Sequence, residues 1–311
     1  MTGTHHSAST HASASASTHH AASASDNHHG HDHGTHPHLV SALDLDAELM
    51  GGYLDDASAL IADALGRAPR TIVDLGAGTG TGTEALARRF TDARIVAVDS
   101  SPEMAALVTQ RAEKAGFAAR LETVVADLDA GLPELGSPDV VWAAMSLHHV
   151  ANPVALLRAI ATSLAGDGVV AIAEMADVPR FSPAGEDSEL RDLQDRCQAA
   201  TAHAGWEALV DWTDTLDDAG YDVLRHQTIE IERGGPSQSV ARYARHWFSQ
   251  FRHRLTPTSA DPHPSALSPV DVSALDDLLD EDNPAALHRR DDLTMSAGRL
   301  VWIARPRGAA S

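Results

Sequence analysis

The 311-residue sequence holds one cysteine, Cys197, and one lysine, Lys114, and only 4% of its residues are aromatic. A lone thiol excludes an intrachain disulfide and any zinc site built on several cysteines, and it suits a reducing compartment. Positive charge is scarce as well: 23 Lys and Arg stand against 44 Asp and Glu, a formal net charge of −21. Affinity for a phosphate backbone or an anionic membrane surface comes from dense Lys and Arg. No such run occurs, so nucleic acid and membrane are not expected partners. No apolar stretch is long enough to cross a bilayer. The first residues show neither the basic nor the apolar region of a secretory leader, so a cytoplasmic location is expected.

What is plentiful is unevenly spread. Residues 1–38 are dominated by Ser, Ala, Thr, His and Gly, and eleven of the nineteen histidines lie at or before His38. A segment with no large apolar residue after Met1 cannot bury enough surface to offset its ordering entropy, and a disordered tail is expected. Imidazoles at His28, His29, His31, His33, His36 and His38 could share a Zn, Ni or Cu ion; the alternative is a leader with adventitious metal affinity. No metal site is expected in the folded part.

From residue 39 onward the pattern is that of a folded chain. A helical apolar stripe spans Tyr53 to Leu65. Strands are predicted at 71–75, 94–98, 121–125, 139–144 and 169–173, with helices between them at 82–90, 102–115 and 153–164. Strands alternating with helices at this interval indicate βαβ units and a mostly parallel sheet covered on both faces. Beyond Glu174 helices are predicted at 186–204, 208–219, 238–254 and 271–281, with strands near 221–232 and 299–305. Tyr243, Trp247 and Phe251 recur every four residues; such a stripe is either core packing, the preferred reading, or the lining of a substrate box.

The first strand runs into Asp74-Leu75-Gly76-Ala77-Gly78-Thr79-Gly80. The dinucleotide fingerprint G-x-G-x-x-G requires a third glycine five residues after the first. Counting from Gly76 or from Gly78, that position holds Thr81 or Thr83. An acidic residue followed by G-x-G-x-G instead resembles the first motif of the class I S-adenosylmethionine-dependent methyltransferases. The next strand, RIVAVD, ends in Asp99 and continues as Ser100-Ser101-Pro102-Glu103-Met104, similar to the family's usual sequence at this point. The third strand runs into VVADLD; the fourth reads PDVVWAAMSLHHVANP, similar to small-molecule methyltransferases related to the quinone-biosynthesis C-methylases.

The resemblance implies a Rossmann-like, doubly wound, seven-stranded α/β sheet with an antiparallel last strand. It implies a cofactor-binding core over 39–175, then cap helices, an insertion near 233–293 and the last two strands over 176–311. S-adenosylmethionine is the implied cofactor and a small molecule the implied methyl acceptor. The positions it carries over to the cofactor are Asp74, Gly76, Ala77, Gly78, Gly80, Asp99, Ser100, Met104, Asp127, Leu128 and Met145. Asp99 would accept from the ribose hydroxyls and Asp127 from the adenine amine, with Met104 and Leu128 against the ring. Asp74 either organises the loop near the methionine amine or simply caps the next helix. His148 and His149 follow the fourth strand. An imidazole there could take a proton from the acceptor, since its free pKa lies near ~6.5, or the pair is a structural turn. The other reading of the whole chain is a metal-binding or sensing protein on a methyltransferase-like scaffold.

Overall fold

The computed structural model describes residues 37–183, 188–204, 209–234, 237–256 and 267–308, with side chains left out at 37–39, 188 and 202–204. Residues 1–36 of the expected tail, with the candidate metal ligands His28, His29, His31, His33 and His36, lie outside the described residues, as does the side chain of His38.

Among the described residues eight strands make one sheet: β1 (Thr71–Leu75), β2 (Arg94–Asp99), β3 (Leu121–Val125), β4 (Val140–Ala144), β5 (Val169–Met175), β6 (Arg180–Pro183), β7 (Tyr221–Arg233) and β8 (Leu293–Pro306). Their order is β3-β2-β1-β4-β5-β8-β6, with β7 also paired to β8. The first five are parallel, and β8 runs antiparallel to β5, β6 and β7. The doubly wound plan with a reversed last strand is therefore the observed one. β6 is an addition: it continues the β5 side of β8, pairing Leu293 to Ser296 where β5 pairs Arg299 to Ala304. Four residues ending in proline carry too little periodicity to announce a strand. β8 is also longer than the expected 299–305, because pairing with β6 and β7 extends it through the small, polar residues before Arg299.

The helices are α1 (Pro37–Met50), α2 (Tyr53–Leu65), α3 (Thr81–Arg89), α4 (Pro102–Ala115), α5 (Pro153–Ser163), α6 (Ser188–Ala204), α7 (Thr213–Asp218), α8 (Gln238–Arg254) and α9 (Pro269–Leu279). α4 ends where its sequence says it must. Ser101 Oγ accepts from the Met104 amide, Pro102 occupies the first turn, and Gly116 closes the helix at φ 80°. α9 starts two residues before the expected 271, because Ser268 caps it with Pro269 in the first turn. α1 was not anticipated, and it begins two residues inside the expected tail.

Alternate strand residues enter two separate cores. Ile72, Ile95, Trp142, Ala171 and Ile303 pack with residues of α2, α3 and α8, whereas Val73, Val96, Val141, Val170 and Ile172 pack with α5 and α7. A sheet covered on both faces needs apolar residues at every position, which is why these strands read as continuous apolar runs. Tyr243 and Phe251 of the aromatic stripe are buried in the first core and Trp247 packs against it, in keeping with core packing. Among the described residues no helix is long and apolar enough to cross a membrane.

Candidate active site

At the carboxyl ends of the parallel strands the chain leaves β1 and turns into α3 through the glycine bend. Gly76, Gly78 and Gly80 have φ of 71°, 54° and 84°, the left-handed region that only glycine enters freely. Gly76 is also constrained by space: an added Cβ would lie 2.4 Å from the Ser146 Cβ. Ser146 Oγ donates to the Leu75 carbonyl at 2.8 Å, tying the segment after β4 to the end of β1. Over Gly78 the space is open, with Leu43 of α1 the nearest atom to an added Cβ, at 3.8 Å. From the other side Arg111 donates through Nε to the Thr79 carbonyl at 2.8 Å and pairs with Glu84 at 3.1 Å.

The amides of this bend are turned inward. Gly76 and Ala77 donate to the Val98 carbonyl at 2.8 and 3.1 Å, Gly80 donates to Ala77, and Gly78 donates to Asp99 Oδ2 at 2.8 Å. What the bend offers a ligand is an approach without side chains, with acceptor oxygens beside it.

Those oxygens stand in sheet order. Asp99 at the tip of β2 is half-buried and takes one hydrogen bond per oxygen, from Gly78 N and from Ser101 N at 2.9 Å. A carboxylate has about four acceptor sites, so each oxygen keeps capacity for a ligand hydroxyl. The Ala126 amide donates to the Asp99 carbonyl at 3.0 Å, which puts Asp127 beside it. Asp127 is exposed, and its Oδ1 accepts from the Asp129 amide at 2.9 Å. Asp74 is buried inside β1, where its Oδ2 accepts from Thr83 Oγ1 at 2.5 Å. Burial pushes its carboxyl up to about 7, against the lowering effect of Thr83 and with help from the charge of Asp99. Three carboxylates thus mark the tips of three neighbouring strands.

The remaining expected positions fall around this row. Met104 is buried in the first turn of α4, Leu128 is half-buried against the second core, and Ser100 is exposed between Asp99 and the α4 cap. Met145, just past β4, has φ 54°, the one positive value of a non-glycine among the described residues. An unbranched side chain in that region costs on the order of 1–2 kcal/mol, and such strain concentrates at functional sites.

The two histidines part company. His148 is nearly buried, and its Nδ1 lies 2.8 Å from Oε2 of Glu174, a fully buried residue at the end of β5. In the tautomer whose Nδ1 donates to Glu174, Nε2 is left as the nitrogen with a free lone pair. His149 is exposed, with its ring centroid 4.1 Å from that of His148. Cys197 is buried, and burial pushes its thiol up to about 12, which fits packing and not nucleophilic chemistry.

Several site residues were not anticipated. Glu174 closes an apolar strand with an acid at its carboxyl end, a signal that was available. Arg299 of β8 is 1% exposed, and its Nη2 donates to Asp46 Oδ1 of α1 at 2.8 Å. The same oxygen accepts from the Tyr243 hydroxyl at 2.6 Å. The Arg299 guanidinium carbon lies 5.6 Å from the ring centre of Tyr53 in α2. Partners 197 and 253 residues apart in sequence carry no local signal.

Residues 72–168 match the family profile described as a methyltransferase domain. A trans-aconitate 2-methyltransferase of Variovorax paradoxus is 30% identical over 170 residues, covering 49% of this chain and 63% of that one. Its counterpart from Delftia acidovorans is 31% identical over 160 residues, 45% of this chain and 58% of that one. The chain therefore spans less than two thirds of the length of these curated relatives. Among solved structures, an S-adenosylmethionine-dependent methyltransferase from Geobacter sulfurreducens, in complex with S-adenosyl-L-homocysteine, is 18% identical, with 81% of this chain and 91% of that one covered and a TM-score of 0.44. The domain match runs from the start of β1 to the residue before β5, the stretch that holds the glycine bend and its row of carboxylates, so that this part of the chain is similar to a methyltransferase domain.

Proposed function

We propose that the protein transfers the methyl group of S-adenosylmethionine to a small-molecule acceptor by in-line displacement. The observation that carries this reading is the Gly78 amide bonded to Asp99, which sets a carboxylate with spare acceptor capacity beside a bend cleared of side chains. The residues present fit the cofactor's donors. Asp74 suits the methionine amine, Asp99 the vicinal ribose hydroxyls and Asp127 the adenine amine, with Met104 and Leu128 alongside the base. Gly76, Ala77, Gly78 and Gly80 give the close approach, and Ser100 and Met145 border it. Bound there, S-adenosylmethionine supplies a methyl carbon already activated by its sulfonium. The chain then has to position the two reactants and exclude water.

Where the acceptor arrives protonated, His148 Nε2 is the proposed base, with Glu174 holding its ring and stabilising the charge it gains. His149 is the outer member of the pair and is proposed to shape the rim. The names of the curated relatives describe an organic acid as acceptor; for this chain they support a small molecule in place of a macromolecule.

The strongly acidic composition supports a protein that works without nucleic acid, and the cytoplasm remains the proposed location. Weak divalent-metal binding by the histidines up to His38 is proposed as separate from the methyltransferase function. A variant lacking residues 1–36 should lose zinc binding in calorimetry and keep cofactor binding; zinc binding that persists would refute the assignment.

Titration with S-adenosylhomocysteine tests the central reading. Saturable binding that Asp99→Ala abolishes supports it. No heat from either S-adenosylmethionine or its demethylated product would reject it.

A further inference from the structure

Arg299 sits on β8 where its backbone pairs with Met175, one residue beyond Glu174, at the carboxyl end of β5. Ligands of open α/β sheets bind outside such strand ends. The guanidinium donates to Asp46 of α1 and lies over the Tyr53 ring of α2, and Tyr243 of α8 donates to the same Asp46 oxygen. A guanidinium carries five N–H groups. Nη2 is satisfied by Asp46, but Nε and Nη1, which bear three of the N–H groups, are buried without a hydrogen-bond partner.

That combination is unusual for an arginine whose task is structural. Buried polar groups are almost always hydrogen-bonded, and each exception calls for a cause. Here the surroundings use Nη2 alone and leave Nε and Nη1 unused. The guanidinium carbon lies over the Tyr53 ring, 5.6 Å from its centre, a cation–π contact that takes up none of the N–H groups. Asp46 is about one-third exposed while Arg299 is not, so solvent screens the anion more than the cation. Glu174, the residue before Met175 on β5, holds His148, so the Arg299 backbone position lies beside the proposed proton-transfer pair.

We propose that Arg299 is the specificity-determining residue for the methyl acceptor, receiving an acceptor carboxylate on Nε and Nη1, so that the substrates are small organic acids. This rests on the methyltransferase reading. Two oxygens in a plane match the guanidinium edge, which an amide or ester of the same shape does not reproduce in charge. Tyr53 and Asp46 are positioning residues, and the methylated atom lies elsewhere on the acceptor.

The test uses the full chain saturated with S-adenosylhomocysteine, whose binding is confirmed first; failure at that point overturns the methyltransferase reading and not the acid assignment alone. Calorimetry then compares mono-, di- and tricarboxylic acids with their primary amides and with phosphate monoesters. At least one acid should bind roughly 100-fold or more tightly than its amide, the scale on which a site built for a polar group rejects an analogue lacking it. Arg299→Met should abolish that preference, Arg299→Lys should restore part of it, and S-adenosylhomocysteine affinity should stay within about threefold in both. No acid binding, equal binding of acid and amide, or binding confined to phosphate esters overturns the proposal, and the wild-type comparison stands even where a variant does not fold. Retained acid preference in a folded Arg299→Met protein overturns it too.

Discussion

Asp99 Oδ2 accepts the Gly78 amide at 2.8 Å, so the acid that ends β2 holds the bend that follows β1. The second oxygen takes the Ser101 amide at 2.9 Å, at the cap of α4. One carboxylate therefore joins the glycine bend, its own strand and the next helix, and any ligand bound through it meets a surface already fixed in place.

Replacing Asp99 should act on binding as well as on folding. Asp99→Ala removes the bonds from the Gly78 and Ser101 amides that hold the bend, together with the proposed contacts to the ribose hydroxyls. With charge-assisted bonds worth about 1.5–3 kcal/mol each, loss of the ribose contacts should lower S-adenosylhomocysteine affinity by roughly 100-fold or more. Asp99→Asn keeps one acceptor oxygen and should fall less. Calorimetric Kd values in that order support the geometry, and wild-type affinity in Asp99→Ala would contradict it.

Gly76→Ala should cost stability as well as binding. The new methyl would sit 2.4 Å from the Ser146 Cβ at a φ of 71°, and strain of this kind costs on the order of 1–3 kcal/mol before any repacking. Gly78→Ala has the same backbone penalty but open space above it, so its melting temperature should drop less. Equal drops in thermal denaturation would show that the contact with Ser146 does not matter.

Asp74 makes stability depend on pH. Its folded carboxyl is pushed up by burial to about 7 from an ordinary 3.8. Between those values the folded chain holds a proton that the unfolded chain gives up. The contribution is complete below the lower value and is lost as pH rises through the upper one, on the order of a few kcal/mol. Denaturant unfolding of Asp74→Asn should accordingly decline less between pH 4 and 8 than that of the wild type. Parallel pH profiles would remove Asp74 from this role.

The His148 and Glu174 pair predicts a separation of kinetic constants. For an acceptor with a protonated nucleophile, His148→Gln should lower kcat about 100-fold, the usual scale of general-base catalysis, with S-adenosylhomocysteine binding unchanged. Glu174→Gln should lower kcat less than His148→Gln does, because it weakens the contact that holds the imidazole ring in place. His149→Gln, on the exposed side, should change KM more than kcat. An unaltered kcat in His148→Gln would make the SLHH segment a structural turn.

Residues close together in the chain carried the part that could be read without coordinates. A helix bounded by Ser101, Pro102 and Gly116, or a bend spaced as Gly76, Gly78 and Gly80, is dictated by local sterics and local hydrogen bonds. Apolar runs separated by helices declared the doubly covered sheet, and the motifs fall in the stretch that matches a methyltransferase domain. The unanticipated parts depend on partners far apart in sequence. Only folding sets Arg299 against Asp46 and Tyr53, places Glu174 under His148 and leaves His149 outside. Only folding turns the bend's amides inward onto Val98 and Asp99. Local sequence controls torsions and periodicity, whereas which charge is buried, and whose donors stay unmet, depends on where distant segments meet.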